Sequence, residues 1–287
     1  MIPTSKQQTD FMTTLTPRPA KSERSDRPAN LANLLAWLLL LIFCTCDRAP
    51  GSKEYAPADA KDVLERAVEA HGMSGFDSTQ ISFTFRERKY GIQTDRGRFT
   101  YTRSFTDSLG NAVRDVLTNE GLERFRNDSL LQLTAKDSTA YAASVNSVRY
   151  FFMLPYGLYD PAVNIELLET VTLEGKLYDR VRVTFDAEGG GTDHDDVYHY
   201  FFNRDTGELD YLAYTFEADD GGIRFRKAIN KRKVGGVLVQ DYINYGLDGD
   251  DRDIDAIGAR FAAGELPELS VIENTAVRID GRPAAGR

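Results

Sequence analysis

The feature that most constrains this chain is a change of hydrophobic period. From Gln80 onward apolar residues fall on every second position. Ile81, Phe83 and Phe85 alternate with Ser82, Thr84 and Arg86, and the pattern resumes in the run holding Phe99, Tyr101 and Arg103. Period two is the repeat of an extended strand with one face buried. Val113–Thr118, Leu122–Arg126, Ser129–Thr134, Glu169–Glu174, Leu177–Phe185, Val197–Asn203, Leu209–Phe216, Ile223–Lys231, Val237–Tyr245 and Leu269–Ile279 read as further strands. The breaks between the early ones are short and carry Gly, Asn or Asp: Gly91, Gly110–Asn111, Asn119–Gly121 and Asn127–Asp128. Such breaks make hairpins, so successive strands run antiparallel. Helical periodicity is confined to Ala58–Ala70, which has Pro57 at its start and Gly72 at its cap, to the apolar stretch Ala142–Leu154, and to a short segment at Ile254–Ala263. The expected fold is α+β. It is a single curved antiparallel β-sheet, an open half-barrel of about ten or eleven strands, with two or three helices on its concave face. A sheet of that length must curl and needs apolar filling.

The N-terminal region carries an address. Lys21, Arg24 and Arg27 precede the apolar run Leu31–Phe43. Thirteen helical residues reach roughly 20 Å, short of the ~30 Å hydrocarbon core. A basic stretch followed by a short apolar one reads as a secretory signal. The run closes on Phe43-Cys44-Thr45-Cys46, which resembles a bacterial lipobox, with Cys46 as the lipidated residue because Thr45 is small enough to precede the cut. The expected organisation is a signal peptide over 1–45, a linker over 46–56, one half-barrel domain over 57–280 and a tail over 281–287. One or two acyl chains would hold the domain on a membrane without spanning it.

Charge and cysteine content exclude several functions. The chain has 35 Lys+Arg against 44 Asp+Glu; removing residues 1–45 takes five basic and three acidic residues and leaves 30 against 41. An acidic body does not neutralise phosphates, so no nucleic acid is an expected partner. Both cysteines, Cys44 and Cys46, lie in one N-terminal segment, so the domain has no disulfide and no cysteine nucleophile. GxSxG, GxxxxGK[ST] and HExxH patterns are absent, and no cofactor is expected. One local run invites chemistry: Asp193, His194 and Asp196 follow three glycines and could seat a general base or a divalent metal. The same residues make an ordinary solvated hairpin loop. The acidic run Asp248–Asp255 lacks the Gly and final Glu of a calcium loop and reads as surface. Among the arginines inside strands, Arg224 and Arg226 share one face with Phe225 on the other. That face is either the concave wall, where a guanidinium grips an anion, or the solvent side of a half-buried sheet.

Several phrases together resemble a family of Bacteroidota lipoproteins, the domain of unknown function family 6503. They include Glu69–Gly72 (EAHG), Phe83–Tyr90 (FTFRERKY), Leu117–Gly121 (LTNEG), Ser144–Val163 (SVNSVRYFFMLPYGLYDPAV), Val183–Asp196 and Gly221–Gly236. The resemblance spans nearly all of the mature chain. It implies a distant likeness to the periplasmic lipoprotein-carrier fold (LolA/LolB-like), an open half-barrel capped by helices. Some members carry a deoxyribose-phosphate aldolase label. That activity needs a (β/α)8 barrel and a Schiff-base lysine, and no βα alternation occurs here.

The function these features point to is a non-catalytic, lipid-anchored protein of the cell envelope that binds a hydrophobic or amphipathic ligand in the cleft of the half-barrel. Phe83, Phe85, Tyr101, Tyr150 and Phe151 would form the wall, with Arg103 or Arg224 as the polar anchor. The expected partners are a lipid or similar small amphiphile, the membrane through the acyl anchor, and an envelope protein complex. The expected place is the outer membrane, facing the periplasm or the surface. The alternative is a hydrolase or metal-dependent enzyme built on Asp193, His194 and Asp196.

Overall fold

The computed structural model describes residues 55–280, apart from Asp77, 189–194 and 218–220. The expected signal, Cys46 and most of the linker lie outside the described residues, as do Asp193 and His194. Among the described residues fifteen strands form two antiparallel hydrogen-bonded paths. The first contains β1 (Ser78–Phe85), β2 (Arg88–Asp95), β3 (Arg98–Thr106), β4 (Ala112–Thr118), β5 (Gly121–Arg126), β6 (Ser129–Leu130) and β15 (Thr275–Asp280), in the order β15-β1-β2-β3-β4-β5-β6. The second contains β7 (Val163–Leu167), β9 (Lys176–Phe185), β10 (Tyr198–Asn203), β11 (Leu209–Phe216), β12 (Gly222–Val234), β13 (Val237–Asp248) and β14 (Glu268–Ile272), in the order β14-β13-β12-β11-β10-β9-β7, with β8 (Val171–Leu173) also paired to β9.

The antiparallel meander is as the alternation predicts. The strand count is higher for three local reasons. Gly91 sits in the middle of β2 rather than in a turn, and the hairpin turns at Arg86–Glu87, both left-handed at φ 47° and 61°. Gly91 is needed for close approach: a Cβ there would stand 2.6 Å from Thr102 Oγ1. β7 precedes the strand expected from Glu169. The last strand breaks at Glu273–Asn274 into β14, which pairs with β13, and β15, which pairs with β1.

That break joins the two paths. Asp241 on β13 accepts hydrogen bonds from the Asn274 amide (2.9 Å), Asn230 Nδ2 (3.2 Å) and Arg232 Nη1 (3.1 Å). Arg232 also donates to the Asn274 carbonyl. The chain is thereby held at the point where it leaves one sheet for the other, and both sheets contribute side chains to one core.

The filling comes from helices. α1 (Ala60–Ala70) is capped by Asp59, whose Oδ1 accepts from the Lys61 and Asp62 amides, and its stripe Ala60, Val63, Leu64, Ala67, Val68 is buried. These side chains share one core with Ile81, Phe83 and Ile92 of the first path and Val183, Tyr200, Leu212 and Val239 of the second. α2 (Ala135–Phe152) begins at Ala135 rather than Ala142. Thr134 caps it, but its first turns are polar and carry no apolar stripe to read. Its C-terminal half, through Val145, Val148 and Phe152, packs on the same core. α3 (Ile257–Ala262) covers the opposite face of the sheet. It closes a second core of Phe201, Tyr211, Ile223 and Phe225, which alternate with the inward side chains of β10–β12.

Two histidines belong to this framework. His71 ends α1, and its Nε2 accepts the Leu209 amide at 3.0 Å. Burial holds its pKa down to about 3, so it is neutral there. His199 is buried in β10, as its aromatic neighbours imply, and burial lowers its pKa to about 4.

Candidate functional site

The core does not fill the whole concavity. An open cleft of about 520 Å³ lies between the C-terminal half of α2 and the inner faces of β10–β14. Ser147, Val148, Phe151 and Phe152 line it from α2; Phe85 and Arg86 line it from the β1–β2 hairpin. Tyr198, Tyr214, Arg224, Arg226, Tyr242 and Ile272 line it from the second path, with Asp195, Asp196 and Glu217 also on its wall.

Strand register builds this wall. Tyr198 pairs with Tyr214, and Tyr214 with Arg224. One row away, Tyr200 pairs with Leu212, and Leu212 with Arg226. Cross-strand neighbours on one face stand close enough for rings to touch. Tyr198 and Tyr214 stack at 5.4 Å, and Phe151 reaches down from α2 to 5.5 Å from Tyr214. The guanidinium of Arg226 lies over the Phe151 ring at 4.1 Å and the Tyr214 ring at 5.1 Å. The guanidinium of Arg224 lies over Phe216 at 4.5 Å and pairs with Asp248 at 2.7 Å. Tyr242 donates no charge to the wall: burial pushes its phenol up to about 12.

Of the seven residues expected to bind ligand, the structure brings Phe85, Phe151 and Arg224 together on the cleft. The other four lie elsewhere. Phe83 is in the core, stacked on Phe152 at 4.0 Å. Tyr101 is buried against Phe99 at 4.4 Å. Tyr150 shares a 2.7 Å hydrogen bond with the Tyr200 hydroxyl, and burial raises both phenols. Arg103 is 2% exposed and spent on structure: Nε donates to Asp115 at 2.8 Å and Nη1 to Ser144 Oγ at 2.7 Å. Inward-facing aromatics near a concavity are indistinguishable in sequence from inward-facing aromatics under it.

Asp196, from the expected hydrolytic set, is buried at the cleft wall; its partners Asp193 and His194 fall outside the described residues. The acidic run after β13 is used locally. Asp253 Oδ1 accepts the Asp255 and Ala256 amides, and Asp251 accepts from Arg260 at 2.7 Å. Among the described residues no three His, Cys, Asp or Glu side chains are placed to hold a metal ion. No described helix is long and apolar enough to cross a membrane.

Tyr198, Tyr214, Tyr242 and Val148 are wall residues that sequence reasoning did not select. For the three tyrosines the signal was the strand alternation itself, which gives each side chain a face but not a neighbour; Val148 lies within the apolar stretch that reads as a helix.

Comparison with known proteins gives the following. No curated protein matches the chain in sequence. Among solved structures, the chain is similar to a LolA superfamily protein from Nitrosomonas europaea, at 12% identity and a TM-score of 0.45, covering 77% of this chain and 94% of that one. It is also similar to a DUF1329 family protein from Desulfovibrio piger (11% identity, TM-score 0.36, 77% and 92% covered) and to lipoprotein LppX of Mycobacterium tuberculosis (10% identity, TM-score 0.26, 55% and 90% covered). The model of the Family of unknown function (DUF6503) matches residues 38–274, and the chain belongs to that family.

Proposed function

We propose that this protein is a non-catalytic, lipid-anchored component of the cell envelope that holds a hydrophobic or amphipathic ligand in the cleft under α2. The observation that carries the reading is the cleft itself. Its volume of about 520 Å³ falls within the ~300–1,000 Å³ of small-molecule sites, and its wall is amphipathic, aromatic and aliphatic side chains sharing it about equally with polar and charged ones. An open concavity beside a well-packed core presents apolar side chains that a guest would bury. The anchor is Cys46, acylated after removal of residues 1–45, and the place is the outer membrane.

The test is native mass spectrometry of the full chain purified from membranes, with and without Ser147→Trp. Ser147 is exposed on α2 and lines the cleft, so an indole there blocks the space without entering the core. Wild-type protein should carry a co-purifying amphiphile that the variant lacks, at unchanged melting temperature. Equal ligand content in both would refute the cleft as the binding site. Asp196 on the same wall keeps the hydrolase alternative specific: an ester probe turned over by wild type but not by Asp196→Asn would favour it.

A further inference from the structure

We infer that the cleft selects amphiphiles with an anionic head, and that Arg226 is the residue that holds the head. This rests on the ligand-binding reading above and adds the chemical class of the ligand. The wall carries three arginines and three carboxylates, so it has no net bias. The bias is local. Arg224 is paired with Asp248 and also donates to the Ile223 and Leu247 carbonyls. Glu217 is paired with Arg252. Arg226 differs from the structural arginines Arg103, Arg124 and Arg232, each of which meets a carboxylate. Among the described residues no carboxylate stands at ion-pair distance from Arg226.

A guanidinium has five N–H donors. Among the described residues Arg226 uses one, from Nη2 to the Tyr214 hydroxyl at 2.8 Å, and its buried Nε meets no partner there. The rings of Phe151 and Tyr214 flank the group at 4.1 and 5.1 Å. Rings over the face of a guanidinium leave its edge to donate, and that edge is the planar fork that matches a carboxylate or phosphate. A partly buried cation with unfilled donors is costly until an anion arrives. Phe151 therefore does two things: it forms apolar wall and it orients the fork. A carboxylate and a phosphate monoester share the chemistry required.

The experiment uses the full chain in a nonionic detergent at pH 8, with two photoactivatable probes of equal chain length: a diazirine-bearing palmitate and the matching diazirine-bearing hexadecanol. Labelling is mapped to peptides of α2 and β10–β12. Wild type should label with the palmitate about tenfold more strongly than with the alcohol, since a charge-assisted hydrogen bond in a partly buried site contributes that much or more. Arg226→Met, which keeps the packing stem, should bring the two probes to parity while alcohol labelling persists; Arg226→Lys should keep part of the preference. Competition by oleate or by oleoyl lysophosphatidate then tells a carboxylate ligand from a phosphate one, and displacement by either supports the inference. Equal labelling of wild type by both probes, or an undiminished preference in Arg226→Met, would overturn it while leaving the ligand-binding reading intact. Failure of both probes to label the cleft would overturn the two together.

Discussion

Removing the Asp115 carboxylate should be among the most damaging single changes outside the cleft. Asp115 on β4 is fully buried. It accepts from Arg103 Nε at 2.8 Å and from Arg124 Nε and Nη2 at 2.6 and 3.0 Å, and Arg103 Nη2 lies at 2.7 Å. In Asp115→Ala two guanidiniums lose their counter-charge, and the Arg103 side chain, 3% exposed, cannot turn to water. Breaking a buried ion pair from one side costs ~3–5 kcal/mol, most of it the stranded charge and not the pair's own net worth. Urea denaturation is the assay. With a slope of ~3 kcal/mol per M, the upper end for small proteins, the midpoint should fall by about 1–1.7 M at unchanged slope. The stranded-charge account makes a second demand. Arg103→Met, Asp115→Leu and Arg124→Met combined should recover most of the loss, because well-packed apolar side chains replace such groups at little cost. A single-variant loss under ~1 kcal/mol, or a triple variant as unstable as Asp115→Ala, would refute this reasoning.

Other perturbations have equally definite outcomes. Gly91→Ala should destabilise by ~1–3 kcal/mol through the 2.6 Å approach of its Cβ to Thr102 Oγ1, and Thr102→Ala should rescue it, as thermal melts of the single and double variants will report. Gly72→Ala should cost more and resist rescue, because at φ 69° its Cβ would stand 2.2 Å from the backbone carbonyl of Gly236. His71 and His199, with pKa values lowered to about 3 and about 4, take up protons only on unfolding. Their contribution is present above the ordinary histidine pKa and is lost as pH falls towards those values, by about 2 kcal/mol each between pH 7 and 5. Urea midpoints that stay level over that interval would contradict their neutrality in the fold.

The sequence by itself determined the local chemistry. Period-two alternation fixed antiparallel strands such as Leu209–Phe216, which the structure reproduces residue for residue. Pro57 and Gly72 bracketed the first helix, which the structure starts at Ala60 behind an Asp59 cap, because caps and stripes are properties of neighbouring residues. The family resemblance was also legible, since it rests on phrases of contiguous sequence. What alternation could not give was the neighbour of any side chain, nor which face points inward when both are covered. β10 is buried at every position, with Tyr200 under the helices and Phe201 under α3. Arg103, Arg224 and Arg226 look alike in sequence, each an arginine in an apolar strand. Register alone places the first opposite Asp115. It sets the second one row from the third, with Asp248 within reach of only the second. Pairing is a long-range property, settled by which hydrophobic faces meet across dozens of residues. That Arg226 faces the cleft with, among the described residues, no carboxylate at ion-pair distance therefore belongs to the tertiary structure and not to the strand that carries it.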